Sequence, residues 1–386
     1  MNRSFDHWLV LITAVLLAFG LVMVFSASAV LAEESFGDPY KYLTRQGVAL
    51  ALGVFIATLT AFTPTRALRK GGVVMLGIST AALFATYVPG IQYKANGAAR
   101  WIGMAGINFQ PSEFAKIAVL MMLADFLDRY RAHINNPRVL MTAALIPALP
   151  MALTLGQPDF GTTAIMGGLA GIMVVIAGLQ WRYLAPIGIA GALGAVVLVT
   201  GAEYRLKRVT SFMDPWANQQ GDGYHIIQSW VAMHSGGVEG QGLGNSIAKL
   251  HFLPEPWTDF IGAVIGEELG LIGLGALVLL FGLFVWRGML IARRASNAYG
   301  TYLAATLSVM IGLEAFFNLA VILGLVPPKG LVLPFISYGS SATLANLWAV
   351  GILLSVAAEA NGAPLDQGWQ AKPASAQPAA GPQPAR

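Results

Sequence analysis

Cysteine does not occur among the 386 residues, and charge is scarce, at 11% Asp, Glu, Lys and Arg against about 25% in soluble domains. The first absence excludes a disulfide framework, a thiolate nucleophile and a cysteine metal site. The 5 histidines are scattered without metal-ligand spacing, and no serine sits in a nucleophile elbow, so zinc-enzyme and serine-hydrolase chemistry fall away. The second absence excludes water as the main solvent. Hydrophobic residues make up 56% of the chain, and the mean hydropathy is +0.64. A net charge of +4 could point to nucleic acid, but no separate basic domain exists, and in such a chain loop Lys and Arg are explained first by topology. A nucleic-acid partner is not expected.

Apolar stretches of 18 residues or more are long enough for a helix to cross roughly 30 Å of hydrocarbon. Reading charge-poor runs this way predicts an all-α integral membrane protein with ten spans, near 8–31, 46–63, 71–88, 110–127, 139–156, 162–180, 183–201, 260–286, 301–325 and 341–358. The first run ends in Ala27-Ser28-Ala29, which resembles a signal-peptidase site. It is longer than a signal h-region and reads as an uncleaved helix. With the N-terminus inside, the short inner segments hold eleven Lys and Arg, from Arg3 and Arg66 to Arg293 and Arg294, and the short outer loops hold five, namely Lys41, Arg45, Lys94, Arg100 and Lys329. That asymmetry predicts two cytoplasmic termini and an extracytoplasmic loop at 202–259 between the seventh and eighth spans. Residues 1–358 then form one membrane domain. The proline- and alanine-rich stretch at 359–386 reads as a disordered cytoplasmic tail.

Polar groups at membrane depth must be satisfied there or be functional. The fourth span opens Gln110-Pro111-Ser112-Glu113 and reaches Lys116, which places an acid and a base on one helical face. The plain reading is a neutralising ion pair; the functional one is a pair lining a cavity. The long loop carries Tyr204-Arg205-Leu206-Lys207-Arg208 and the glycines 240, 242 and 244. Those glycines imitate a phosphate loop but lack its strand-and-helix setting. The basic cluster suits either a lipid pyrophosphate or anionic headgroups. The loop ends at Trp257-Thr258-Asp259-Phe260, where Asp259 is either a helix cap or a site carboxylate. Glu267 lies two turns deeper on a similar face, with Glu268 turned 100° away. Glu314 and Asn318 are spaced to pair inside the bundle. Arg100 beside Trp101 reads first as an interfacial anchor.

Gln110-Pro-Ser-Glu-Phe-Ala-Lys116, Gln157-Pro-Asp-Phe-Gly161, Arg208-Val-Thr-Ser-Phe-Met-Asp-Pro-Trp216, Gly242-Leu-Gly-Asn-Ser246, Thr258-Asp-Phe260 and Pro334-Phe-Ile-Ser-Tyr-Gly339 together resemble the SEDS family of shape, elongation, division and sporulation proteins. Gly242 to Ser246 and Pro328 to Pro334 are similar to its division member more than to its elongation member. The resemblance implies a polymerase that joins lipid II into glycan strands at the outer face of the bacterial cytoplasmic membrane, at the division septum. It implies as partners a growing lipid-linked glycan, a class B penicillin-binding protein that cross-links the strands, and other division proteins. The family's essential Asp falls on Asp259, and its intramembrane Glu and Lys fall on Glu113 and Lys116. Arg100, Asp159, Arg205, Lys207, Arg208, Asn245, Ser246, Lys329 and Ser337 join them as candidate substrate-binding residues. Asp259 would serve as a base or hold a divalent cation, magnesium or manganese; no organic cofactor is implied. Trp257 stands where His is usual, Ser340 where a second Gly is usual, and Glu314 where Gln is common. A flippase for lipid II and a pure scaffold for the transpeptidase are the competing readings. A transporter would place its ionisable groups near the midplane, whereas here they gather on the outer side.

Overall fold

The computed structural model describes residues 5–95, 98–104, 107–201, 203–221, 223–328 and 330–362. Its helices are α1 (His7–Phe36), α2 (Lys41–Ala61), α3 (Thr65–Ala85), α4 (Pro111–Arg129), α5 (Pro137–Gly156), α6 (Phe160–Ile176), α7 (Trp181–Thr200), α8 (Glu203–Met213), α9 (Tyr224–Gly236), α10 (Ile261–Arg294), α11 (Ala298–Ile322) and α12 (Ser340–Gly362). Between α3 and α4 lies an antiparallel sheet of β1 (Gln92–Ala95), β2 (Ala98–Met104) and β3 (Ile107–Phe109), in the order β1-β2-β3. Every expected span falls on a helix. Seven of these helices are long and apolar enough to cross a membrane, namely α1, α2, α3, α5, α10, α11 and α12.

Local chemistry sets the helix ends. Asp6 accepts the Leu9 N–H to start α1, and Gly37, at φ 68°, closes it in the left-handed region. Pro111 in the first turn of α4, with Glu113 beside it and Arg129 in its last turn, suits the helix dipole. The core is built around α4, α11 and α12, which are buried along most of their lengths. Exposed Val48, Phe55, Leu145 and Leu271 give the outer helices an apolar jacket, the face a bilayer solvates. α7 stands apart, with no buried side chain among those described and with its main packing against α8.

The helices run alternately between two ends of the bundle. Arg287 near the end of α10 bonds Asp6 before α1, at 2.8 Å. Glu359 near the end of α12 accepts from Thr65 at the start of α3 and, at 3.3 Å, from Asn297 before α11. Arg69 of α3 pairs with Asp125 and Asp128 of α4. One end of the bundle therefore gathers these groups, and the opposite end carries the sheet, α8, α9 and the segment after α11.

Two boundaries differ from expectation. The eighth span does not begin at 260 as a single helix: at Gly270, φ 63° and ψ −162°, α10 breaks. Residues 261–269 form a half-helix enclosed by protein, while Leu271 and Ile272 are 64% and 62% exposed. The freed carbonyls of Glu267 and Glu268 accept from the Gln241 and Gly242 N–H groups, both at 2.9 Å, and the Leu271 and Ile272 N–H groups donate to Gly237 and Val238. Only glycine fits the break, because a Cβ on Gly270 would meet the Val238 oxygen at 2.4 Å and one on Gly240 the Glu268 oxygen at 2.2 Å. The glycine run thus serves a close backbone approach rather than a nucleotide. At the C-terminus, α12 runs on to Gly362, so residues 359–362, expected in the tail, are helical, with Glu359 tied down. Residues 363–386 lie outside the described residues.

Cysteines replacing exposed Gln220 and Ser296, which lie at opposite ends of the bundle, are expected to separate in a labelling assay. A membrane-impermeant maleimide should reach Gln220→Cys in intact cells and Ser296→Cys only after permeabilisation. The reverse pattern would invert the topology.

Candidate functional site

Asp259 sits in the turn that feeds the half-helix at the start of α10, half-buried. It is not a helix cap: the capping residue of α10 is Phe260, and no side chain bonds the first turn. Its main chain is fastened on both sides. Asn318 of α11 donates to the Asp259 carbonyl at 2.9 Å and to the Leu331 carbonyl at 2.6 Å. The Ser337 hydroxyl donates to the Thr258 carbonyl at 2.7 Å, and the Tyr338 N–H to the Trp257 carbonyl at 2.8 Å. Gly330 lies so close that a Cβ there would stand 3.1 Å from a carboxylate oxygen of Asp259. Loss of water pushes the Asp259 carboxyl up to about 6, Glu255 adds to the rise, and Arg100 and Arg208 oppose it. Two guanidinium groups from different parts of the chain thus act electrostatically on one carboxylate.

The other expected site residues divide. Arg100, on β2, donates to the Gln157 and Pro158 carbonyls at 3.4 and 2.6 Å, which sets it beside the turn before α6 while it acts electrostatically on Asp259. Arg208 is exposed on α8 and acts on the same carboxylate. Arg205 lies over the Phe160 ring at 5.9 Å, and Lys207 is exposed on the same helix. Asp159 is buried and occupied as the cap of α6, accepting from the Thr162 N–H at 3.2 Å and its hydroxyl at 2.8 Å. Asn245 donates to the Gln241 carbonyl at 2.9 Å, and Ser246 donates to Glu267. These two shape the loop rather than face Asp259. Ser337 positions Asp259 through the main chain. Lys329 lies outside the described residues.

Inside the bundle, Lys116 meets Glu113 at 3.0 Å as the i, i+3 spacing predicted, and it also bonds Glu314 of α11. The pair is a triad. Glu314 and Asn318 therefore do not pair with each other: the first turns to Lys116, the second to the Asp259 turn. A second buried ion pair was not foreseen. Lys249, in the long loop before α10, reaches Glu268 at 2.8 Å, the Gly244 carbonyl at 2.6 Å and Ser26 of α1 at 3.2 Å. Glu267 accepts from the Ile247 and Ala248 N–H groups, both at 3.1 Å, and so closes a turn instead of facing Asp259. The signal that could have found this was charge counting: two adjacent acids in an apolar helix require a cation, and Lys249 is the nearest upstream.

The family model for cell cycle proteins of the FtsW, RodA and SpoVE type matches residues 7–362. The chain belongs to this family. Among curated FtsW-type relatives, the probable peptidoglycan glycosyltransferase FtsW of Geobacter sulfurreducens is 39% identical over 367 residues, covering 94% of this chain and 97% of the relative. Stage V sporulation protein E of Bacillus subtilis is 39% identical over 360 residues, covering 92% and 97%. The rod shape determining protein RodA of Thermus thermophilus is similar in structure, with TM-score 0.68 at 28% identity over 92% of this chain and 97% of that one. A chain solved in work on how a peptidoglycan synthase complex coordinates polymerization and crosslinking has TM-score 0.77 at 27% identity, covering 93% and 99%.

In this member of the family, the triad's two acids share one base. Lys116→Met leaves two carboxylates facing each other in a low-dielectric interior, whereas Glu314→Gln leaves a neutral Lys116–Glu113 pair. We expect Lys116→Met to cost about 3 to 5 kcal/mol and Glu314→Gln far less, read as thermal unfolding in detergent. Equal losses for the two variants would refute the pairing.

Proposed function

We propose that the chain is a peptidoglycan glycosyltransferase that polymerises lipid II at the outer face of the cytoplasmic membrane, with Asp259 as its catalytic carboxylate. The observation that carries this is the Asp259 turn: a half-buried carboxylate, released from capping and opposed by Arg100 and Arg208, at the end of the bundle that also bears α8 and α9. The names of the FtsW relatives and the synthase-complex neighbour support it. We read ten spans, both termini in the cytoplasm, a division septum location and a class B penicillin-binding protein as partner. The ionisable groups around Asp259 gather at one end of the bundle, which favours chemistry at a surface over transport through the midplane.

Polymerisation forms a bond between the 4-hydroxyl oxygen of an acceptor sugar and the anomeric carbon of the donor, and breaks the bond from that carbon to the lipid pyrophosphate. Asp259 takes the hydroxyl proton. A base with a pKa near 6 is ionised at neutral pH yet basic enough to help. Arg100 and Arg208 take the charge that grows on the leaving pyrophosphate. Among the described residues no three His, Asp or Glu side chains gather to hold a metal. In its alternative role Asp259, with Glu255 in electrostatic reach, would instead hold a magnesium-type cation that draws its remaining ligands from phosphate and water. Such a cation would lend further charge to the leaving group.

Asp259→Asn keeps the shape and removes the base. With its transpeptidase partner and labelled lipid II, that variant is expected to lose about 10² to 10⁴ in polymerisation rate while remaining folded and partner-bound. In the wild type, kcat/KM should fall as pH drops through about 6, because the raised pKa leaves the carboxyl protonated below it. A near-normal rate for Asp259→Asn, or an acid limb well below pH 5, would return Asp259 to a structural role.

A further inference from the structure

We propose that Tyr42, Trp257 and Tyr338 form a stacking subsite for a pyranose ring of the lipid-linked saccharide, directly beside Asp259. The proposal rests on the glycosyltransferase reading. Trp257 lies two residues before Asp259, and its ring is 4.7 Å from that of Tyr42 at a 32° tilt. Tyr42 in turn packs edge-on against Tyr338, at 5.1 Å and 85°. All three rings are half-buried, so each keeps an open portion.

The main-chain bonds that fasten Asp259 also fasten this platform. The Tyr338 N–H donates to the Trp257 carbonyl, and Gln46 of α2 joins the same knot, accepting from the Gly339 N–H at 3.3 Å and donating to Thr343 at 2.9 Å. Glu255 acts electrostatically on both the Tyr42 phenol and the Asp259 carboxyl, and Arg45 acts on Tyr42, so the rings and the carboxylate share one polar rim.

A pyranose offers C–H groups from its ring face and hydroxyls from its edge. Aromatic faces carry the negative part of the ring quadrupole and attract such C–H groups, while charged groups at a rim fix orientation through the hydroxyls. An aromatic belt accounts for single Trp and Tyr residues at a membrane interface. It does not account for a Tyr42 ring packed against both Trp257 and Tyr338, two residues whose main chains bond each other beside Asp259.

The test uses the full chain with its transpeptidase partner and measures initial polymerisation rates against lipid II concentration. Trp257→Ala and Tyr42→Leu should each raise KM on the order of tenfold, the effect of losing one stacking contact, with kcat within about threefold because Asp259 is retained. Trp257→Phe keeps a ring and should keep KM within about threefold. Trp8→Ala, at the other end of the bundle, is the belt control and should leave KM alone. If Trp257→Ala does not fold, Tyr42→Leu and Trp257→Phe decide. Unchanged KM in the ring-removing variants, or an equal rise in Trp8→Ala, overturns the subsite while the glycosyltransferase reading stands. Failure of the wild type to polymerise overturns that reading instead.

Discussion

A bilayer offers no water to satisfy a broken helix, so every main-chain group freed inside it must find a protein partner, at a cost of several kcal/mol for each one left alone. The break of α10 at Gly270 lives under that constraint. It persists because residues 237–242 supply donors and acceptors to both sides of the gap, and because glycines let two backbones meet where a Cβ would collide. The half-helix 261–269 is thereby enclosed by protein, and its N-terminal turn is the one that carries Asp259.

The same constraint governs the charges. Lys116 sits between two carboxylates, and Lys249 is held by Glu268, a carbonyl and a serine. Each buried ion pair joins distant elements: α4 to α11 in the first case, α10, its preceding loop and α1 in the second. Such pairs contribute modest net stability, but removing one partner leaves an uncompensated charge. They therefore act as registration points for the helices around the Asp259 turn. By contrast, Arg100 and Arg208 act on Asp259 through electrostatics, without a buried ion pair to it among the described residues.

Much of the architecture was legible in the sequence because its causes are local. A run of apolar residues is long enough to span a membrane or it is not; all ten expected spans fall on helices, seven of which are long and apolar enough to cross a membrane. The Glu113–Lys116 pair follows from helical periodicity alone, whereas Asp159, expected among the substrate-binding residues, is occupied as the cap of α6. Asp259 stood out as a carboxylate at a helix mouth, with two readings left open.

What the sequence by itself determined was therefore composition, periodicity and local spacing: a membrane protein, its helices, the i, i+3 pair and the identity of the outlying carboxylate. Only the tertiary structure decided that Asp259 does not cap α10, that Glu314 completes the triad, that Lys249 is buried against Glu268, and that the glycines 240 and 270 face each other. Each of those facts joins residues that are far apart in the chain or at its bends. Their partners are chosen by how helices pack and where a backbone breaks, and no single stretch of sequence contains that information.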